Sequence, residues 1–244
     1  MATSTHDPAL PEAALVAVRY EVPVVADDWV LPEVPVPESV PHRATAALLA
    51  QLLRAWVERT GRSALIAENL AYRWTERRPR IGIDPDVCLI EPAPPDQDSL
   101  KSLLLWRAGH SAPRLAVEGV SENHPYKDYD VVPDRYAASG VGELWVFDPE
   151  LRGPRKRGGP HRLQLWAREE DGSFVRHFAG DGPVHSAALD AWAFVTEDGD
   201  RLRIADDEAL TRRWLTIEEE ARASEQRALA RIAELEAELA RRGR

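Results

Sequence analysis

Cysteine is almost absent from this chain, and long apolar segments are absent as well. The single cysteine, Cys88, excludes an internal disulfide and a cysteine-rich zinc cluster. No apolar run has the length of a transmembrane helix, and the polar residues 1–10 lack the basic and apolar regions of a signal peptide. These absences favour a cytoplasmic protein that does not enter a membrane.

An excess of positive charge is also lacking, because the formal net charge is −10. This argues against a protein that coats nucleic acid by bulk charge, but it allows an enzyme that binds DNA through a local basic surface. The sequence nevertheless contains two clusters of basic residues, and for either cluster alone the simpler interpretation is charge on solvated loops. The clusters are Arg73, Arg77, Arg78 and Arg80, and Arg152, Arg155, Lys156, Arg157 and Arg162.

What the chain does contain is typical of a globular protein. Its 244 residues are 44% hydrophobic and 30% charged, enough for one buried core with an appendage. We expect three regions: an irregular, proline-rich segment over residues 1–40 that packs on the core, a main domain over residues 41–215, and a charged helical tail over residues 216–244.

The order of predicted elements indicates an α+β domain with a mixed sheet. Apolar residues recur at helical spacing over residues 41–60, and alternation predicts one strand over residues 63–74. Further strands are predicted at residues 86–90, 114–121 and 143–149, with a short helix over residues 133–139. Asp171-Gly172 and Asp198-Gly199 each predict the turn of a hairpin.

The tail carries a weak heptad seam. Its members are Ala221, Ala228, Ile232, Leu235 and Leu239, and Glu225 interrupts them. The pattern predicts a marginal coiled coil of about three heptads. We expect the seam to pair in a homodimer or to dock on the main domain.

Glu118 is the first candidate site residue. It lies in the middle of the apolar strand Leu115–Val120, where a carboxylate is costly unless it is paired or binds a cation. The adjacent Gly119 weakens the strand and is typical of a place where another group approaches closely. The alternative is an acid on the solvent face of an edge strand.

Asp86 is the second candidate, because it opens an apolar strand directly after Pro85. Taken alone, Asp84-Pro85-Asp86 is ordinary turn chemistry. As a pair, Asp86 and Glu118 on neighbouring strands could share a divalent cation, which activates water and screens phosphate charge.

Several short motifs over residues 83–149 carry a resemblance to a known family. They occur in an order and spacing typical of it: Pro85-Asp86-Val87, Val117-Glu118-Gly119-Val120-Ser121, Lys127-Asp128-Tyr129, Arg135-Tyr136-Ala137, Gly140-Val141-Gly142-Glu143-Leu144-Trp145 and Asp148-Pro149. In these the chain resembles the Uma-two family of restriction endonuclease-like proteins, a branch of the PD-(D/E)XK nuclease superfamily.

The resemblance implies a restriction-endonuclease-like PD-(D/E)XK core and an Mg²⁺- or Mn²⁺-dependent endonuclease that hydrolyses DNA with a metal-activated water. It implies that Asp86 and Glu118 are catalytic and bind the metal. The family's lysine is missing, because Val120 and Val132 stand where it is expected. Lys127 is therefore the third catalytic candidate. The alternative is a nuclease fold with decayed chemistry that acts as a DNA-binding or protein-interaction module.

Other residues are weaker candidates. Glu68 could be a third acid, although an edge-strand or paired glutamate is the simpler interpretation, and His42 could face the cleft, although surface histidines are commoner. Asp148 is interpreted as a turn residue, and Tyr136 and Trp145 as core. Ser121 and Asp128 are expected to organise the loop after the Glu118 strand.

Overall fold

The computed structural model describes residues 19–20, 29–31, 40–120, 129, 132–155 and 159–242. Its helices are α1 (Val40–Thr60), α2 (Val132–Ser139) and α3 (Ile217–Arg242), with a short 3-10 helix at Gln97–Ser99. The strands are β1 (Arg19–Tyr20), β2 (Leu65–Glu68), β3 (Ala71–Arg73), β4 (Val87–Ile90), β5 (Ser102–Leu104), β6 (Leu115–Gly119), β7 (Glu143–Phe147), β8 (Leu163–Arg168), β9 (Phe174–Gly180), β10 (Val184–Ser186), β11 (Ala191–Val195) and β12 (Leu202–Ala205).

Seven of the described strands form a mixed sheet in the order β1-β9-β8-β7-β6-β4-β2. Strand β4 pairs antiparallel with both β2 and β6, whereas β6 pairs parallel with β7. A parallel pair needs a crossover long enough to return the chain, and α2 lies in the segment that joins β6 to β7. The predicted α+β fold with a mixed sheet is confirmed.

The strand alternation divides the core between the two faces of this sheet. Val87, Leu89 and Val117 point to one face, where the apolar side of α1 and the small sheet β10-β11-β12 cover them. Cys88 and Ala116 point to the other face, which packs against α2. The helical spacing predicted for α1 is confirmed, and His42 near the start of that helix lies beside Asp86, just before β4, and Gly119, the last residue of β6.

The single strand predicted over residues 63–74 is wrong. Asn69 has a φ of 51°, in the left-handed region, and it turns the chain between β2 and β3. Strand β2 pairs antiparallel with β4, whereas β3 leaves the main sheet and pairs parallel with β5. Apolar alternation continues through the turn, so the sequence pattern alone does not reveal the break.

Both predicted hairpins are confirmed. Strands β8 and β9 pair antiparallel around Asp171-Gly172, and β11 and β12 pair antiparallel around Asp198-Gly199. Both glycines have positive φ angles, 85° for Gly172 and 79° for Gly199, which a residue without a side chain adopts at little cost. The second hairpin brings its turn to the end of the sheet where the candidate site lies.

The predicted helical tail is helix α3, which begins with a capping box. The Glu219 amide donates to Thr216 Oγ1 at 3.2 Å, and the Thr216 amide donates to Glu219 Oε2 at 2.9 Å. Both oxygens of Glu219 also accept from Arg203 of β12. No described residue of α3 is buried. The division into three regions stays a prediction. No helix in the described part of the chain is long and apolar enough to cross a membrane.

Candidate functional site

The two candidate carboxylates lie at corresponding positions of two adjacent antiparallel strands. Val87 of β4 is paired with Val117 of β6, so the next residues along the ladder are Asp86 and Glu118. Asp86 directly precedes β4, and Glu118 lies near the end of β6. The sequence expectation that neighbouring strands carry these two acids therefore agrees with the strand register.

Asp86 is held by a backbone amide and an imidazole. Its Oδ2 accepts a hydrogen bond of 2.6 Å from the Gly119 amide and lies 2.9 Å from His42 Nε2. The side chains of His42 and Asp86 are each only 14% exposed. The interpretation of His42 as a surface histidine is wrong, because the first turns of α1 place its ring against Asp86.

Gly119 makes the contact between His42 and Asp86 sterically possible. A β-carbon at this position would lie 3.0 Å from His42 Cε1 and 3.4 Å from Asp86 Oδ2. The prediction that Gly119 marks the close approach of another group is confirmed.

Glu118 is oriented by a buried tyrosine of α2. The Tyr136 hydroxyl donates a hydrogen bond of 2.6 Å to Glu118 Oε1. Burial, and then the negative charges of Glu118 and Asp86, raise the pKa of Tyr136 well above its ordinary value. The phenol therefore stays protonated and acts as a donor. Tyr136 is core, as predicted, but its hydrogen bond to Glu118 was missed because no sequence pattern reveals it.

The two carboxylates are held from different sides of the sheet. Asp86 is contacted from α1, and Glu118 from α2. The negative charges of both carboxylates nevertheless influence Tyr136, since both raise the pKa of its hydroxyl. Glu118 also faces the buried Cys88, where burial first and then the Glu118 charge raise the thiol pKa to about 12.

An open cleft of about 570 Å³ lies on the α1 side of this pair. Asp86 and Gly119 line it, whereas Glu118 is not among its lining residues in the described structure. Its other walls are α1, the end of β7 with the following loop, and the turn between β11 and β12. The lining residues are His42, Ala44, Thr45, Ala46, Leu48, Leu49, Asp86, Val87, Val117, Gly119, Val120, Phe147, Asp148, Pro149, Glu150, Arg152, Asp200 and Arg201.

Asp148 organises the loop at the edge of the cleft. Its Oδ2 accepts from the Tyr129 hydroxyl at 2.9 Å and from the Gly153 amide at 2.8 Å, and its Oδ1 accepts from the Arg152 amide at 2.9 Å. The interpretation as a turn residue is confirmed, and these bonds explain how a buried carboxylate is tolerated.

The expected lysine position is apolar in this structure. Val120 is 9% exposed, lines the cleft, and donates its amide to the Phe147 carbonyl at 2.8 Å. Val132 is the first residue of α2. Lys127 lies outside the described residues, as do Ser121 and Asp128, so the roles predicted for them stay predictions.

Two further candidates lie outside the site. Glu68 is exposed at the end of the edge strand β2, where its Oε1 accepts from Arg54 at 2.7 Å, so the edge-strand interpretation is confirmed. Trp145 is fully buried and donates its Nε1 to Glu143 at 2.7 Å, which confirms it as core.

The basic clusters differ in where they lie. Arg77 and Arg78 are exposed after β3, and Arg152 reaches the cleft. The turn between β11 and β12 contributes a second cleft arginine, Arg201, which the sequence clusters did not include. Within the described residues, no group of three or more His, Cys, Asp or Glu side chains could hold a metal ion.

The chain is similar to a known protein family and to solved structures. The model of the Uma2 family, described as "Putative restriction endonuclease", matches residues 17–154. One of the solved structures is the crystal structure of a putative nuclease belonging to DUF820 from Anabaena variabilis ATCC 29413. It is 15% identical to this chain, and the match covers 64% of this chain and 76% of that protein, with a TM-score of 0.44. No curated protein matches the chain.

Proposed function

Because this chain belongs to the Uma2 restriction endonuclease family, as its sequence motifs predicted, we propose that it is a metal-dependent endonuclease that hydrolyses DNA phosphodiester bonds. The observation that carries this proposal is the pair Asp86 and Glu118 at facing positions of two neighbouring strands, with Asp86 in the wall of an open cleft. The family supports a nuclease, and the metal and the DNA substrate are our proposals.

The donor set at this position suits a hard divalent cation. Magnesium and manganese prefer oxygen ligands, and magnesium is commonly held by one or two carboxylates together with water and substrate phosphate oxygens. A carboxylate has about four lone-pair sites. The hydrogen bonds on Asp86 Oδ2 and Glu118 Oε1 are therefore compatible with both groups acting as ligands. Bound there, Mg²⁺ would lower the pKa of a water molecule and screen the charge of the phosphate.

The surrounding residues would orient the two acids. The Gly119 amide and His42 hold Asp86, and the Tyr136 hydroxyl holds Glu118. Partners of this kind fix the direction of metal ligands and are commonly worth about 10- to 100-fold in metal affinity or activity. Since Tyr136 stays protonated, it can support Glu118 across the physiological pH range.

The cleft also offers cations for a phosphate backbone. Arg152 and Arg201 line it from two different loops, and Arg152 is ion-paired with Glu150, which lines the cleft as well. Their planar guanidinium groups suit phosphate oxygens. The affinity would be local and sensitive to salt, since the whole chain carries a net charge of −10.

The second candidate function is a nuclease fold that binds nucleic acid without cutting it. The observation that favours it is Val120, an apolar residue on the cleft wall where the family pattern expects a lysine. A charge-stabilising donor of this kind is commonly worth about 100-fold or more in rate. We favour weak cleavage over binding without cleavage, because both Asp86 and Glu118 are present.

The test compares two site variants with a matched control. Wild type, Asp86→Asn, Glu118→Gln and Glu68→Gln are incubated with supercoiled, linear and single-stranded DNA in Mg²⁺, Mn²⁺ or EDTA. Binding of Mn²⁺ is measured by calorimetry. Glu68→Gln is the control, because it neutralises an exposed acid on the edge strand outside the cleft.

We expect cleavage by wild type and Glu68→Gln only with a divalent metal, and a loss of both cleavage and Mn²⁺ binding in the two site variants. Cleavage that persists in EDTA, or in Asp86→Asn, would refute the proposed mechanism. DNA binding without any cleavage, together with intact Mn²⁺ binding, would support the second candidate.

A further inference from the structure

Helix α3 exposes an apolar stripe. Among its residues, Ile232 is 52% exposed, Leu235 43% and Leu239 69%. An apolar stripe of this length on a charged helix is typical of an interaction surface.

The rest of the described domain leaves this stripe uncovered. The capping box at Thr216 and the ion pair of Glu219 with Arg203 attach only the first turn of α3 to β12. Beyond that turn, no described residue of the helix is buried. The start of α3 is thus oriented by the domain, while its apolar side remains available for a partner.

The stripe is one seam of a heptad repeat. Seam residues follow alternating steps of four and three, in the order Ala221, Glu225, Ala228, Ile232, Leu235, Leu239 and Arg242. The seam therefore has an apolar centre and two charged members of opposite sign, Glu225 toward its start and Arg242 at its end. This distribution distinguishes the two possible orientations of a helix pair.

We propose that α3 pairs with α3 of a second copy of this chain in an antiparallel coiled coil. The register places Ile232 opposite Leu235 of the second copy, and Ala228 opposite Leu239. The same register then places Glu225 opposite Arg242, twice in each dimer. The small Ala228 faces the large Leu239, so the pair fills space evenly along the seam.

Charge selects the antiparallel orientation. In a parallel pair in register, Glu225 would face Glu225 and Arg242 would face Arg242 within the seam, and like charges at such positions oppose pairing. In the antiparallel register the residue that interrupts the apolar seam acquires a partner of opposite charge. Glu225 therefore specifies orientation instead of simply weakening the helix pair.

The proposed overlap also keeps the two domains apart. Pairing over residues 225–242 leaves residues 217–224 as a helical spacer of about 12 Å between each domain and the end of the partner helix. The two domains then lie at opposite ends of the coiled coil. Each copy keeps the ion pair between Arg203 and Glu219, because Glu219 lies outside the overlap.

The first experiment measures mass in solution by sedimentation over a concentration series of the full chain. We expect a reversible dimer, weakened at least tenfold by Leu235→Glu. Ala237→Glu is the matched control, because it adds the same charge on the opposite side of the helix and should leave the dimer unchanged. A protein that is monomeric at every concentration, or equal effects of the two variants, would overturn the proposal.

The second experiment tests orientation with Glu225→Arg, Arg242→Glu and the double variant. Each single change replaces two attractive contacts with two repulsive ones, and we expect the dissociation constant of the dimer to rise about tenfold. The double variant should restore the wild-type affinity. A parallel pair predicts similar affinities for all four proteins, and that result would exclude the antiparallel register.

A distance measurement checks the register directly. A spin label on Glu218→Cys would be separated from its twin by about 45 Å in the antiparallel register, but by less than about 15 Å in a parallel pair. Selective labelling is possible because the native Cys88 is buried. Only the long distance agrees with the proposal.

Discussion

Tyr136 of α2 donates a hydrogen bond of 2.6 Å to Glu118 Oε1, so a fully buried phenol supports a candidate metal ligand. Burial, followed by the charge of Glu118, raises the pKa of Tyr136 well above its ordinary value. The hydroxyl therefore remains a donor at any pH at which the protein works. This bond couples the packing of α2 to the direction of the Glu118 carboxylate.

Replacing Tyr136 by Phe should separate packing from hydrogen bonding. The ring stays in the core, but Glu118 loses its donor, and we expect Mn²⁺ affinity and any cleavage rate to fall about tenfold. The free energy of unfolding should fall by about 1–3 kcal/mol.

The matched control is Tyr72→Phe, which also removes a buried hydroxyl, one that donates to the Ser139 carbonyl. It should cost similar stability and leave Mn²⁺ binding unchanged. Equal losses of metal affinity in the two variants would show that the effect of Tyr136 is only structural. Calorimetry and urea unfolding measure both quantities.

Gly119→Ala should disturb the contact between His42 and Asp86. The added methyl carbon would lie 3.0 Å from His42 Cε1, so the imidazole must move. We expect a stability loss of about 1–3 kcal/mol from overpacking. In the double variant Gly119→Ala with His42→Ala, the ring is gone and the methyl group fits. Urea unfolding should then show coupling between the two changes, and strictly additive losses would contradict the predicted clash.

Lys127 is predicted to replace the lysine that the family pattern places at Val120 or Val132. Lys127→Ala should lower the cleavage rate about 100-fold while Mn²⁺ still binds. The reason is that the variant removes the positive charge predicted to stabilise the reacting phosphate. Lys101→Ala, an exposed lysine after the short 3-10 helix, is the control. If Lys127→Ala cleaves at the wild-type rate, Val132→Lys becomes the informative variant, since a restored lysine should then raise the rate.

Arg201 is predicted to contact the phosphate backbone from the turn between β11 and β12. Arg201→Ala should weaken DNA binding severalfold and reduce the salt dependence by about one unit of slope. The control is Arg212→Ala, an exposed arginine beside Asp206 and Asp207 that does not line the cleft. Charge reversal at Arg77, Arg78 and the loop 155–157 tests whether those clusters contribute as well. Fluorescence anisotropy across salt concentrations separates these effects.

Acid should weaken the attachment of α3 to the domain. The hydrogen bond from Arg203 lowers the pKa of Glu219 below its ordinary value. A lowered folded-state pKa gives stability that is present above the unfolded pKa of about 4.3 and lost as the pH falls through the folded value.

The stability difference between wild type and Glu219→Gln should therefore persist at neutral pH and close in acid. Glu236→Gln neutralises an exposed glutamate farther along the same helix and should show no such difference at any pH. Urea unfolding between pH 7 and 3 checks both expectations. A difference that does not change with pH would exclude the ion pair as its source.

The sequence by itself determined most of the main elements and drew attention to the two acids that we propose as metal ligands. Glu118 stands out because a carboxylate inside an apolar strand needs a compensating partner, and Gly119 stands out because a strand glycine usually makes room for one. The hairpins at Asp171-Gly172 and Asp198-Gly199 could be predicted because the residues that favour a turn are neighbours in the sequence. These signals depend on neighbours in the chain, so one sequence is enough to show them.

Only the tertiary structure decided which groups support the acids. His42 comes to Asp86 from α1, and Tyr136 comes to Glu118 from α2, so both contacts depend on how distant elements pack on the sheet. The break at Asn69 was hidden for a related reason, because apolar alternation persists while the chain changes its pairing partner. Periodicity reports which side of an element is buried, and packing alone determines what that side contacts.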